Sequence, residues 1–448
     1  MPSVAIITLG CAKNEVDSER MRARIVAAGM HLLGVEEHPD FVIINTCAFI
    51  TEATEESVNT IIELADLPEV VSGRCRLMVA GCLPARYGAE LAAELPEVTA
   101  FVPVEDEPDI ADIILAAFSA TIPALNTNTV DKTSSTLDAT LCDLQPLLDV
   151  GRLPESERPW AYLKIAEGCS RHCSYCTIPK IRGPYRSVGL KELLAEADAL
   201  VACGARELVL IAQDTGLWRD GGLDLSDLLE QLAKRFPDVW LRVLYLQPSA
   251  ISDRLLKTML AYPNICRYLD IPLQHASARI LKDMNRSGSS QEFLQLLQTI
   301  RSALPDVVLR TTVMTGFPGE TRQESQELSR FIMEAGFDYV GVFAYSTEQG
   351  TIAGERTDQV PVRTRRARAQ RLRDIADQIG FDKAEQSIGK QFEVLVTEYE
   401  DGLPIGRTQG QAPEADGVVH LDRGIPGERL IVQITESICY DLEARVAE

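Results

Sequence analysis

No apolar run in this 448-residue chain is long enough to span a bilayer, so nothing predicts an integral membrane protein. Positive charge is in short supply: 44 Lys and Arg face 66 Asp and Glu, for a formal net charge of −22. Contact with phosphates rests on clustered Lys and Arg, so a general nucleic-acid binder is disfavoured, whereas a basic protein partner is compatible. The opening MPSVAIITLGCAKNE has neither a basic n-region nor a small-residue cleavage site, and no secretory leader is expected. The 11 cysteines are too thinly spread for a disulfide framework. The expected setting is therefore a reducing cytoplasm, where grouped cysteines signal metal more often than cross-links. Self-similarity at solenoid periods is absent as well. GFPGET lacks the Gly-Lys-Ser/Thr ending of a phosphate loop, and its Gly316 and Gly319 read as a tight turn with close backbone approach.

What is present is βα alternation. Short apolar runs at 4–9, 41–45 and 77–80 alternate with helical spacing over 14–28, 52–67 and 85–95, which predicts a doubly wound α/β domain. An aperiodic stretch containing NTNTVDKTSST and PESERP reads as a linker with a possible docking segment. From Trp160, six strand candidates (AYLKIAEG, ELVLIAQD, WLRVLYL, YLDIPL, VVLRTTV and YVGVFAY) are separated by helical stretches. They suggest a TIM-type βα barrel, full or partial, with its chemistry at the C-terminal strand ends. An Arg-rich helix around 363–373 follows; its plain reading is a solvated face and its alternative an RNA contact. Short strands at 391–397, 417–421 and 430–435 then suggest a small all-β barrel. The expected division is 1–120, a linker at 121–159, a core at 160–388 and a final domain at 389–448.

Cysteine spacing carries the chemistry. Cys169, Cys173 and Cys176 stand as C-x3-C-x2-C in EGCSRHCSYCTIPKIRGPYRS, just after the first predicted barrel strand. Three thiolates can hold three irons of a 4Fe-4S cube and leave the fourth open, whereas structural zinc and ferredoxin clusters close with four protein ligands. A zinc site completed by His172 is the alternative, strained because His172 abuts Cys173. An open iron calls for a small chelating ligand, and the run resembles the radical S-adenosylmethionine signature, in which the residue before the last cysteine is typically aromatic, as Tyr175 is. A second triplet is widely spread: Cys11 follows the first strand in LGC, Cys47 the second in NTC and Cys82 the third in AGC. In a parallel sheet these strand ends share one rim, so the three can converge on one metal; the alternative for each is simple packing. Cys75, Cys142, Cys203, Cys266 and Cys439 lack such a pattern and read as packed or incidental thiols.

LGCAKNEVDSE, NTCAFI, GCLPARY, the cysteine loop, YLDIPLQHAS and GFPGET together resemble the methylthiotransferase family of radical S-adenosylmethionine enzymes, from Ile7 to the end of the chain. The resemblance implies an N-terminal methylthiotransferase domain, a radical S-adenosylmethionine core and a small OB-like TRAM barrel. It also implies two 4Fe-4S clusters. One would sit on Cys11, Cys47 and Cys82; the other, on Cys169, Cys173 and Cys176, would bind S-adenosylmethionine and start the radical chemistry. Tyr175, Gln213, Gln274 and Arg310 are the candidate contacts to S-adenosylmethionine. One branch of the family modifies an isopentenyl-adenosine of transfer RNA, the other the β-carbon of an aspartate in small-subunit ribosomal protein uS12. Wording at AKNEVDSE, TEATEES, AQDT and YLDIPLQHAS is similar to the second branch; Ala12 and the pair Ser170-Arg171 depart from it without touching a ligand.

Charge agrees with that branch. Residues 380–448 carry 14 Asp or Glu against 6 Lys or Arg, where an oligonucleotide-binding barrel needs a positive groove with stacking aromatics. The expected partners are a basic small-subunit ribosomal protein, or the subunit carrying it, and a reducing electron donor, with transfer RNA disfavoured and no membrane. The segment from about Gly389 is expected to be separable, its loss sparing the chemistry of the core. The rival readings are a transfer-RNA methylthiotransferase and a non-catalytic iron-sulfur redox module.

Overall fold

A computed structural model describes residues 1–119 and 144–447, so Cys142 and most of the expected linker lie outside the described residues. The first domain is a five-stranded sheet of β1 (Ser3–Thr8), β2 (His31–Leu32), β3 (Phe41–Thr46), β4 (Arg76–Gly81) and β5 (Val98–Pro103), in the order β2-β1-β3-β4-β5. Every pairing is parallel. All six residues of β3 are buried, and it opens on the unbroken apolar run FVII, with no alternation, before ending on buried Asn45 and Thr46. The sequence reading finds β1, β3 and β4 but misses the edge strands. β2 is only two residues long, and β5, VTAFVP, buries only Val98 and Val102 fully, as suits a strand at the edge of the sheet.

Six parallel strands build the second domain. β6 (Trp160–Lys164), β7 (Glu207–Ile211) and β8 (Trp240–Val243) form one sheet, and β9 (Tyr268–Asp270), β10 (Val308–Thr315) and β11 (Tyr339–Ala344) another. A bridge between Leu241 and Ile265 joins the two. Among the described residues β6 and β11 do not pair, so the barrel is partial and one side is open. Its outer face packs under the helices. Its inner face carries Trp160, Tyr162, Trp240 and Tyr268, and these are covered by Ala12 and Val16 of helix α1 (Ala12–Ala27) from the first domain.

The third domain is a closed barrel of β12 (Gln391–Glu400), β13 (Leu403–Thr408), β14 (Val419–Leu421), β15 (Arg429–Ile438) and β16 (Asp441–Val446). It is not a detachable appendage, contrary to the expectation. Leu395 and Ala412 complete the inner core of the βα barrel. Arg407 and Arg242 share Glu207 at 2.7 and 2.6 Å, and all three side chains are buried. Tyr268 donates to Asp416 at 2.7 Å and Tyr162 to Glu414 at 2.8 Å. Buried charges paired across an interface lock the two parts together, because separating them strands unpaired ions.

The described end of the expected linker is also built in rather than loose. A short helix, Gln145–Asp149, buries Leu147, and fully buried Arg152 pairs with Glu19 of α1 and Glu196 of the second domain. The Arg-rich helix, Val362–Glu385, divides by face. Arg365 is buried and donates to the Tyr345 carbonyl at 3.1 Å, Arg368 pairs with Glu320 at 2.8 Å, and Arg363, Arg366 and Arg371 are exposed. Among the described residues no helix is long and apolar enough to cross a membrane.

Candidate metal centres at the domain seam

Chain topology alone gathers the first triplet. Because β1, β3 and β4 are adjacent and parallel, their C-terminal ends lie side by side. Cys11 caps α1 after β1, Cys47 directly follows β3, and Cys82 opens the helix after β4. Fully buried Asn14 ties the three loops together. Its Nδ2 donates to the carbonyls of Leu9 at 3.0 Å and Thr46 at 2.8 Å, while its Oδ1 lies 3.9 Å from Cys11 Sγ and 3.8 Å from Cys82 Sγ. Gly10 has a φ of +99°, and a Cβ there would come within 2.5 Å of the Cys47 Cβ, so the backbone approaches Cys47 as only glycine allows. A thiol set on a glycine cradle at one rim fits a cluster with one open iron. Burial pushes the Cys82 thiol up to about 12 and raises that of Cys47.

The second triplet lies in the loop after β6. Gly168 has a φ of +76°, and a Cβ there would collide with the Pro184 carbonyl at 2.4 Å, which lets the loop turn under itself. Cys169 N–H donates to the Gly183 carbonyl at 3.1 Å, and the Arg171 N–H lies 3.4 Å from Cys169 Sγ. Ser174 is held by Asp283 and Met284, so the loop is fixed at both ends. Burial pushes Cys176 up to about 12 and raises Cys169. Among the described residues no three Cys, His, Asp or Glu side chains are drawn in to the spacing of a single metal ion.

One buried polar chain joins the two triplets. Arg182, six residues after Cys176, places Nη2 2.6 Å from Asn14 Oδ1 and 3.5 Å from Cys82 Sγ. Its Nη1 reaches Asp17 at 2.9 Å and Glu167 at 3.2 Å. Lys164, the last residue of β6, pairs with Asp17 and with Glu167. Burial works to raise the Glu167 pKa, yet Lys164 and Arg182 beside it hold the carboxyl below the usual range. Gln213 donates to Glu167 at 2.7 Å. The chain of contacts therefore runs from the first triplet to the residue that precedes Gly168 and Cys169.

Three stretches match described families: residues 3–103 the uncharacterized protein family UPF0004, 163–332 the radical SAM superfamily and 388–447 the TRAM domain. The ribosomal protein uS12 methylthiotransferase RimO of Geobacter sulfurreducens is 42% identical, covering 98% of this chain and 97% of its own. That of Clostridioides difficile is 40% identical over 99% and 98%. This chain belongs to the RimO family of methylthiotransferases. The fold is also like that of the radical S-adenosylmethionine methyltransferase TsrM from Kitasatospora setae, solved with cobalamin and a 4Fe-4S cluster, at a TM-score of 0.56 and 15% identity over 79% of this chain and 74% of that one.

Within this RimO-family chain the other expected contacts fare differently. Tyr175, within the cysteine loop, is half-buried against Phe317 and Tyr345, and burial raises its phenol. Gln213 lies two residues past β7 and its Oε1 is buried without a partner among the described residues. Gln274 has a left-handed φ of 73°, with its backbone bonded to Thr312 and Met314. Arg310 is a correction. It is only the third residue of β10, well before the strand's C-terminal end, and its guanidinium is committed to Asp270 at 3.0 Å and to Asp416 of the third domain at 3.4 Å. Asn14, Arg182, Glu167 and Lys13 were missed. Their signal was adjacency: Lys13 and Asn14 follow Cys11 in CAKNE, Glu167 precedes Gly168, and Arg182 ends the loop in KIRG.

Proposed function

We propose that the chain is a radical S-adenosylmethionine methylthiotransferase that replaces one hydrogen on the β-carbon of an aspartate in ribosomal protein uS12 with a methylthio group. In this reading Cys169, Cys173 and Cys176 hold one 4Fe-4S cluster, and Cys11, Cys47 and Cys82 hold another. The observation that carries it is the pair of open cysteine triplets set on adjoining rims and linked by Arg182. An unactivated β-carbon offers no acidic proton to a side-chain base, so the one-electron and sulfur chemistry that bound clusters and S-adenosylmethionine supply is what the reaction needs.

The protein's own share is to hold and to enclose. Gly10 and Gly168 let the backbone close up around the cysteines, and Asn14 sets the spacing of Cys11 and Cys82. Arg182 donates toward Cys82, which favours the thiolate a ligand must be. Ala12 and Val16 pack over the inner face of the barrel and close it on that side. The small-subunit protein, or the subunit that carries it, is the partner, and an external reductant supplies electrons.

The test is anaerobic incubation of the reconstituted full chain with S-adenosylmethionine, a low-potential reductant and either free uS12 or small subunits, followed by mass analysis of the uS12 peptides. One methylthio group in place of one hydrogen on an aspartate is the expected result. A methylthiolated adenosine in transfer RNA, with uS12 unchanged, overturns it.

A further inference from the structure

Lys13 is a buried lysine with no carboxylate partner among the described residues. Its side chain belongs to a residue 8% exposed, and among the described residues no Asp or Glu oxygen lies within 4.0 Å of it. Instead Nζ sits 3.2 Å from the centroid of the Tyr245 ring. Lys13 is also the second residue of α1, a 16-residue helix, at the end where the dipole is positive and favours anions. An aromatic face at this distance attracts an ammonium but brings it no negative charge. Tyr245 itself takes a left-handed φ of 62°, a strained conformation for a non-glycine residue. Its N–H donates to Asp270 at 3.1 Å and its carbonyl accepts from Thr215, so the strained turn is held in place. A covered ammonium set on an aromatic ring, with no carboxylate within 4.0 Å among the described residues, is what an anion completes.

The place of Lys13 says which anion. Cys11 is two residues before it, and the next residue, Asn14, touches Cys11, Cys82 and Arg182. Tyr245 lies just past the C-terminal end of β8, and the adjoining loops carry Asp214 and Ser249, both reached by Arg171 of the cysteine loop. The ammonium therefore faces the mouth of the partial barrel between the two triplets. A group reacting with both sites must pass there.

We propose that Lys13 binds the side-chain carboxylate of the substrate aspartate, which holds the neighbouring β-carbon between the two cysteine sites and makes the enzyme prefer an acidic residue. The proposal rests on the functional reading above and names its specificity determinant. S-adenosylmethionine also carries a carboxylate, and the experiment separates the two sources.

Equilibrium binding is measured on the reconstituted full chain with fluorescent peptides spanning the uS12 segment found by mass analysis, one with aspartate and one with asparagine at the target. The expected result is a preference of about tenfold or more for aspartate in the unaltered protein. That ratio should fall to within about twofold in Lys13→Met and be kept in Lys13→Arg, because only the charge is at stake. Should Lys13→Met fail to take up iron, Lys13→Gln is read on the same ratio. An undiminished ratio in the uncharged variant overturns the proposal, as does equal binding of both peptides by the unaltered protein. Weakened binding of S-adenosylmethionine by the variant without peptide assigns the ammonium to that carboxylate and also overturns it. A mass gain on uS12 with any of these results leaves the functional reading standing, whereas no mass gain removes both.

Discussion

Arg182 Nη2 lies 3.5 Å from Cys82 Sγ, so a side chain of the barrel's cysteine loop touches a thiol at a strand end of the N-terminal sheet. The same guanidinium is held by Asp17 and Glu167, one from each domain. Docking of the two domains and preparation of the first triplet are thus one event, since a misplaced N-terminal domain would leave Arg182 buried with fewer partners.

Replacing Arg182 by methionine roughly keeps the volume but leaves Lys164 as the one cation paired with Asp17 and Glu167 among the described residues. Breaking a buried ion network from one side costs about 3–5 kcal/mol, which should appear as a lower denaturant midpoint. The conservative change Arg182→Lys should recover only part of it, because a compact ammonium lacks the planar fork by which Nη1 reaches Asp17 and Glu167 while Nη2 reaches Asn14. Equal midpoints for the methionine variant and the unaltered chain would argue against the network.

Two triplets, each leaving one iron open, predict about eight irons in the anaerobically reconstituted protein. Changing Cys169, Cys173 and Cys176 together to alanine should halve the iron, and changing Cys11, Cys47 and Cys82 should halve it independently. Complete loss from either set would mean that the sites do not assemble separately.

Burial pushes Cys82 and Cys176 up to about 12 from an ordinary 9.0. A thiol whose folded pKa is raised stabilises the fold fully below the unfolded value, and that stability is lost as pH rises from 9 toward 12. Cluster-free protein should therefore lose roughly 1.4 kcal/mol per pH unit per thiol above about pH 9, while protein with both clusters, whose ligands are already thiolates, should lose less. Denaturant midpoints of both forms across that range check it.

Gly10→Ala would put a Cβ 2.5 Å from the Cys47 Cβ on a backbone with φ of +99°. Strain and overpacking at one position cost about 1–3 kcal/mol each, so the fold should survive while Cys47 is displaced. Iron should fall by about half, with the loss confined to the first triplet.

Removing the chain from Gly389 onward should unfold or aggregate the remainder rather than spare it, because Glu207, Arg242, Tyr268 and Tyr162 lose partners and Trp160 loses its cover. The acidic β12–β13 turn is the better probe of partner binding. Glu398, Glu400 and Asp401 are exposed, and reversing all three to lysine should weaken uS12 binding at low salt, with the difference shrinking at high salt as charges are screened. A salt-independent loss would point to a change of fold instead.

Sequence alone determined the positions of the six clustered cysteines relative to their strands. β1, β3 and β4 are short apolar runs whose ends are marked by LGC, NTC and AGC, and parallel pairing then brings those ends to one rim. The loop spacing of Cys169, Cys173 and Cys176 is likewise a local property. Tertiary structure alone decided which buried charges meet. Arg182 and Arg310 look alike in sequence, each a lone arginine near a motif, yet packing turns the first toward Cys82 and commits the second to Asp270 and Asp416. The C-terminal barrel looked separable because its strands pair among themselves; Arg407, Glu414 and Asp416, meeting residues more than a hundred positions away, help weld it to the core. Periodicity reports which face of an element is buried, but the partner of a buried ion is set by long-range docking, and no spacing along the chain encodes that.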